Sequence, residues 1–274
     1  MGTKATRVAD LFAAREAARS VLKALHVTRP DQIVIEDLAM ARGVFVREGP
    51  LEGAEARLLR KAGRGLIRVR EDLPETGRKR FAAAHELGHW ELHPAVSQWA
   101  LCTAEDIETY KASAPELEAN AFAGELLMPT VMIRPRCEEA TPSLDLVRGL
   151  AEEFATTLTA TVLRFVEECR ETCVAVFSSE RKVLWSRPRE GTRLWVAPDQ
   201  DIDRRSDAWA PSASAKMQRV ATNAWFPEWR EPGREVYEQV IPLGRYGVVL
   251  TLLWVIDSDD PDDDDDSGWA RSRR

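Results

Sequence analysis

His85, Glu86 and His89 stand in the order H-E-x-x-H within the segment Phe81-Ala82-Ala83-Ala84-His85-Glu86-Leu87-Gly88-His89-Trp90-Glu91-Leu92-His93. Histidines four residues apart share one face of a helix, with Cβ atoms about 5–6 Å apart. Two imidazole nitrogens so placed can bind one zinc at about 2.0–2.1 Å. Glu86 follows the first histidine directly and can reach a water on the metal rather than the metal itself, which suits a general base in hydrolysis. The chain has four histidines, and His85, His89 and His93 fall together in this one short segment. That concentration, on a helix with an apolar approach and a small Gly88, sets the motif apart from a chance match.

A zinc that keeps one position open for water needs a third protein ligand. The extended pattern H-E-x-x-H-x-x-G-x-x-H would put glycine at 92 and histidine at 95. The chain has Leu92 and Ala95 there, which excludes that class and leaves His93 out of register for it. The segment Pro115-Glu116-Leu117-Glu118-Ala119-Asn120-Ala121-Phe122-Ala123-Gly124-Glu125-Leu126-Leu127-Met128-Pro129 offers glutamates instead. Glu116 and Asn120 share a helical face, an arrangement in which a carboxylate can bind metal while the amide orients a ligand histidine. Glu118 points about 200° around the helix from Glu116. Both cannot face one metal, and spacing alone leaves them as alternatives. Phe122, Leu126 and Leu127 read as the core side of that helix.

The elements that must carry these residues follow from periodicity. Val8, Leu11, Phe12, Ala18, Val21, Leu22 and Leu25 mark an amphipathic helix over 8–25, and a short helix follows over 35–42 with Gly43 as its stop. Residues 44–46, 56–59 and 66–69 read as short strands, with Gly63 and Gly65 supplying turn positions. Helices are then expected over 77–92 and 115–128, the second stopping at Met128-Pro129 with Ser113 available as its cap. Thr141-Pro142 opens a helical stretch to 168, broken near Ala155-Thr157. Past Cys169 the texture changes: 173–177, 183–185, 194–197, 236–241 and 247–256 read as strands, and seven of the nine tryptophans lie beyond residue 180. Large aromatics usually pack, so these are expected in a core.

HELGHWELH followed by ELEANAFAGELLMP resembles the ImmA/IrrE family of metallopeptidases, as does the Arg78-Lys79-Arg80-Phe81 approach, over roughly residues 30–165. The resemblance implies an α+β fold, with a mainly helical gluzincin-like zinc-peptidase domain holding a small sheet. It implies His85, His89 and Glu116 as ligands of one Zn²⁺ (Mn²⁺ or another divalent ion being the alternative) and Glu86 as the base. It further implies a protein substrate, a helix-turn-helix DNA-binding repressor cleaved in a stress, phage or mobile-element response. His93 and Tyr110 are candidates for stabilising an oxyanion. Some members carry a sensor-like C-terminal domain, and the β-rich segment could be a reduced GAF-like relative. The expected organisation is a peptidase domain over 1–169, a β-rich accessory domain over 170–256 and a disordered acidic tail over 257–274. The rival reading is a non-proteolytic zinc-fold module that sequesters a transcription regulator; the intact Glu86 speaks against it.

Bulk properties narrow the partners. Eight aspartates between 257 and 266 account for the formal charge of −7; without them and the three terminal arginines the remainder carries about −2. A near-neutral body gives no global case for nucleic acid or membrane. Nine basic residues from Arg57 to Arg80 (Arg57, Arg60, Lys61, Arg64, Arg68, Arg70, Arg78, Lys79 and Arg80) read as a solvated face, and direct nucleic-acid binding is not expected. No apolar run reaches the ~18 residues of a membrane span. The N-terminal stretch MGTKATRVADLFAARE lacks an apolar region followed by a cleavage site, so a cytoplasmic protein is expected. Cys102, Cys137, Cys169 and Cys173 form no C-x-x-C pair and read as free thiols.

Overall fold

The computed structural model describes residues 7–94, 113–212, 216–229, 233–244 and 247–257. The acidic tail beyond Asp257, Cys102 and Tyr110 lie outside them. The architecture is α+β, as expected, with eight helices among the described residues and two sheets. The chain divides into two compact units, Met1–Glu139 with Val147–Glu168 and Ala140–Leu146 with Cys169–Arg274. No helix among the described residues is long and apolar enough to cross a membrane.

The first unit opens with α1 (Leu11–Ala24), which starts later than the apolar pattern because Asp10 caps it: Asp10 Oδ1 accepts from the Ala13 amide at 2.9 Å. Its buried stripe is Ala14, Ala18, Val21 and Leu22. Helix α2 (Ile35–Ala41) is ended by Gly43 at φ 78°. Strands β1 (Val44–Gly49), β2 (Ala56–Lys61) and β3 (Arg64–Arg70) form a sheet in the order β1-β3-β2, parallel on the first side of β3 and antiparallel on the second. One sheet face, with Val44, Ala56, Ile67 and Val69, enters the core together with α3 (Thr76–Leu92) and α4 (Ala114–Leu127). Ser113 stands at the N-cap of α4 but makes no side-chain cap bond.

The sequence shows no element between Met128-Pro129 and Thr141, yet α5 (Thr130–Glu138) lies there with Pro135 inside it. Proline disfavours a helix interior. What overrides it is tertiary: the Thr130 amide and hydroxyl donate to buried Glu125 at 3.1 and 2.8 Å, and Ile133 and Cys137 are buried. Glu125 also accepts from Arg19 and Arg164, so α1, α4, α5 and α7 (Leu158–Glu168) meet on one buried carboxylate. The stretch expected to open at Thr141-Pro142 begins as α6 (Leu144–Glu153), with Ser143 Oγ accepting from the Leu146 amide at 3.1 Å. The expected break falls at Ala155, φ 50°.

The second unit is a five-stranded antiparallel sheet, order β5-β4-β8-β7-β6, from β4 (Thr172–Ser179), β5 (Lys182–Pro188), β6 (Gln218–Val220), β7 (Arg234–Leu243) and β8 (Val248–Asp257). A single-turn helix, α8 (Thr222–Trp225), follows β6. The expected strand at 194–197 is not one. Leu194 and Val196 are buried in alternation, which mimics a strand, but Val196 O accepts from the Ser186 hydroxyl instead of joining a ladder. The tryptophans split: Trp225 is fully buried with its indole N–H on buried Glu238 at 2.8 Å, whereas Trp195 is 57% exposed. Cys137, Cys169 and Cys173 are buried and in no disulfide among the described residues.

Two glycines should respond oppositely to a methyl group. A Cβ on Gly77, in the first turn of α3, would lie 2.5 Å from Thr156 C and 2.7 Å from Thr157 N, both backbone. Gly77→Ala is expected to destabilise by roughly 2–3 kcal/mol, the upper part of the range for overpacking. Gly149, inside α6, faces open space. Gly149→Ala should stabilise by about 0.5–1 kcal/mol through helix propensity. Urea unfolding of the two variants beside wild type checks both signs.

Candidate metal centre

Helix α3 buries a run from Ala82 to His89, so its polar residues His85, Glu86 and His89 are inside the first unit. Helix α4 lies against it, and the approach is set by Gly88. A Cβ there would lie 3.2 Å from Ala119 Cα, Ala119 O and Phe122 Cβ, tighter than ordinary contact. With the helices this close, Glu116 reaches both histidines. Its Oε2 is 3.0 Å from His85 Nε2, its Oε1 is 3.3 Å from His89 Nε2, and the two Nε2 atoms are 3.1 Å apart. In a tetrahedral site with bonds of about 2.0–2.1 Å, neighbouring donors lie roughly 3.3 Å apart. The triangle His85–His89–Glu116 has the edge length of such a site and could hold a metal.

The bonds on the far side of each imidazole decide which nitrogen keeps a lone pair. His85 Nδ1 lies 2.8 Å from Asn120 Oδ1, an acceptor, so Nδ1 carries the hydrogen and Nε2 faces the triangle bare. His93 Nε2 donates to Glu118 Oε2 at 2.8 Å, which leaves His93 Nδ1 to accept from His89 Nδ1 at 3.0 Å. His89 therefore also presents a bare Nε2. Burial holds the His93 imidazole below the ordinary histidine value despite Glu118, which keeps it neutral for that role. Glu118 accepts in addition from the Asp10 amide at 2.8 Å and from Arg7 at 2.9 Å, so the relay runs back to the start of α1. From the other side Arg60, on β2, donates to the carbonyls of His89 and His93 at the C-terminal end of α3, where a cation is favoured.

Glu86 is 3% exposed, and its Oε1 has no hydrogen-bond partner among the described residues. A buried carboxylate oxygen beside two bare imidazole nitrogens and a second carboxylate is costly unless a cation and its water complete it. The donor set of two nitrogens and one carboxylate fits a zinc with one position left open.

The structure thus brings together His85, His89 and Glu116, puts Asn120 on the outer nitrogen of His85, and turns Glu118 away to His93. His93 has both nitrogens engaged and does not face a reacting group; Tyr110 lies outside the described residues. The relay behind His89 is legible only in retrospect: His93 is four residues past His89, the same spacing that stacks His89 on His85.

Residues 39–165 match the IrrE N-terminal-like domain, Peptidase_M78. Among solved structures, a Mycobacterium tuberculosis transcriptional regulator is similar over 89% of this chain and 76% of its own, with a TM-score of 0.59 at 17% sequence identity, a likeness of fold. No curated protein matches at a significant level.

Two expectations follow for metal binding. Glu116→Ala should abolish stoichiometric zinc, whereas Asn120→Ala, His93→Ala and Glu118→Ala should each weaken zinc by about 10–100-fold without removing a donor; competition with a chromophoric chelator measures all four. The second concerns pH. In the metal-free protein, burial pushes His85 down, but the bond to Glu116 and the charges of Glu86 and Glu116 outweigh it and the net shift is upward. Burial pushes Glu116 up, but its bonds to His85 and His89 outweigh that and hold it far below the carboxylate range. His85 therefore stabilises the metal-free fold below its unfolded value of about 6.5 and loses that contribution as pH rises through its raised value; Glu116 stabilises above about 4.3 and loses it in strong acid. Zinc must displace the His85 proton, so affinity should climb with pH and level off only above the ordinary histidine value. A plateau reached well below that value would contradict the assignment.

Proposed function

We propose, from the match of residues 39–165 to the IrrE N-terminal-like domain, Peptidase_M78, that the protein is a zinc-dependent endopeptidase acting on a DNA-binding transcriptional repressor. The observation that carries this reading is Glu86: a buried carboxylate with one unpartnered oxygen, beside three donors spaced as a tetrahedral face. A structural zinc site would be closed by a fourth ligand; three donors with a buried, partly unpartnered carboxylate on the next residue support a site that keeps one position for water.

In this reading His85, His89 and Glu116 hold the metal and Glu86 is the general base. Zinc, when bound, supplies Lewis acidity to the water and the scissile carbonyl. Glu86 takes a proton from the attacking water on Oε1 and returns it to the leaving amine nitrogen. Asn120 and His93 keep the two imidazoles in the tautomer that leaves Nε2 free, and Arg60 braces the helix end that bears His89. Burial of Glu86 excludes bulk water from the proton-transfer path.

The choice of a repressor as substrate is supported by the family resemblance, and the name of the similar mycobacterial structure fits a place in transcription control. The division into a peptidase domain over 1–169, a β-rich sensor-like domain over 170–256 and an acidic tail over 257–274 belongs to the same proposal, as does a cytoplasmic site of action.

The test pairs zinc-loaded wild type with Glu86→Gln, each incubated with a helix-turn-helix repressor encoded beside the gene. Mass spectrometry of the products should show one new terminus with wild type, and Glu86→Gln should keep its zinc and lose cleavage by about 10²–10⁴-fold. If zinc-loaded wild type leaves the repressor intact while Glu86→Gln still relieves repression as well as wild type does, the protein is a binding module and the peptidase reading is wrong.

A further inference from the structure

The basic residues spread along 57–80 sort into two sets. Arg60, Arg78, Lys79 and Arg80 turn to partners within the first unit: the carbonyls of His89 and His93, Glu55, Glu48 and the carbonyl of Ile33. Arg57, Lys61, Arg64, Arg68 and Arg70 fall instead at alternate positions of β2 and β3, and β1 adds Arg47. Side chains two apart on a strand share a face. This face is the one opposite Val44, Ala56, Ile67 and Val69, so it is turned away from α3 and the metal centre.

Register arranges the face in rows. Arg47, Arg68 and Arg57 are directly opposite one another across the three strands, and so are Phe45, Leu66 and Leu59; Arg64 and Lys61 form the next pair. An apolar row therefore lies between two basic ones. Phe45 is 47% exposed and Leu59 43%. Among the described residues the only carboxylate paired with any of the six cations is Asp72, on Arg70. The nearby carboxylates Glu48 and Glu55 are committed to Lys79 and Arg78. Like charges directly opposite across strands are unfavourable, so the fold gains nothing from the arginine row by itself.

We propose that this open sheet face docks an acidic amphipathic segment of a protein partner, with apolar side chains over Phe45, Leu66 and Leu59 and carboxylates on both flanks meeting the arginines. The apolar middle favours a protein over a nucleic acid, whose contact surfaces are more polar, and an apolar centre with a charged rim is the anatomy of protein interfaces. Arginine pairs carboxylates bidentately. Naming the partner as the cleaved repressor rests on the peptidase reading; the docking itself does not, because the face lies on the other side of the sheet from the metal.

The probe is a fluorescent amphipathic peptide carrying leucine at helical i, i+3, i+4 spacing between glutamates, titrated by anisotropy against the full chain in its Glu86→Gln form. Expected is saturable binding that weakens with salt. It should fall about tenfold or more for Arg47→Glu/Arg57→Glu/Arg68→Glu and several-fold for Phe45→Ser, and be unchanged by removing the metal with a chelator. The triple variant exchanges one row of like charges for another, so it should keep its zinc content and unfold close to wild type; a merely structural role would lower both. The proposal is overturned if a leucine-free polyglutamate of equal charge binds as well, if the triple variant binds like wild type, or if a DNA duplex binds more tightly than the peptide and loses that binding in the triple variant. Docking without any repressor cleavage by zinc-loaded wild type would sink the peptidase reading alone.

Discussion

Everything chemical in the first unit depends on how near α4 can come to α3. Gly88 brings no side chain to the contact and meets the Ala119 backbone and Phe122 Cβ; a single added carbon would lie 3.2 Å from Ala119 Cα, Ala119 O and Phe122 Cβ. Because the axes are held that close, a carboxylate on α4 can touch two imidazoles on α3 at once, at 3.0 and 3.3 Å. A wider gap would turn three converging donors into two unrelated pairs. Phe122, Leu126 and Leu127, all buried on α4, supply the apolar contact that holds the approach.

Converging donors is itself unfavourable. Once His85 has lost its proton, two bare nitrogens and two carboxylates set this close repel one another until a cation joins them, so the surrounding structure must hold them against that repulsion. It does so from behind. Asn120 fixes His85, and Glu118 fixes His93, which fixes His89. Glu118 is in turn held by the Asp10 amide and Arg7, a long sequence separation away. The residue that caps α1 through its side chain thus anchors the outer end of the metal relay through its backbone. Burial alone would push Glu118 toward protonation; the Asp10 amide and His93 hold it ionised instead.

Local pattern carried much of this into the sequence. The H-E-x-x-H spacing, the shared face of Glu116 and Asn120, the stop at Gly43 and the break near Ala155 all depend on residues within a turn or two of each other, and the structure shows each geometry. What local pattern misses is whatever distant groups decide. Helix α5 forms around Pro135 because Glu125, Arg164 and Thr130 converge there, and no window of neighbouring residues contains that network. Residues 194–197 alternate like a strand, but burial under a neighbouring element and ladder pairing leave the same apolar pattern. Spacing alone also could not choose between Glu116 and Glu118. Both lie on one helix and both bond to a histidine; the difference is that half-buried Glu116 faces the inner nitrogens and buried Glu118 the outer relay.

The three-stranded sheet shows why a run of charges cannot be read as a line. Counted along the chain, Arg57, Arg60 and Lys61 are one basic cluster. Strand alternation sends Arg60 inward to brace the carbonyls of His89 and His93, while Arg57 and Lys61 face out. Cross-strand register then brings Arg57 level with Arg47 and Arg68, residues that no count along the chain would group. One strand therefore serves two faces with the same residue type: an arginine that steadies the helix carrying His85 and His89, and arginines whose mutual repulsion the fold tolerates. Local stability explains the first placement. The second calls for something beyond the sheet with the opposite charge, and the apolar row of Phe45, Leu66 and Leu59 between the basic rows limits what that can be.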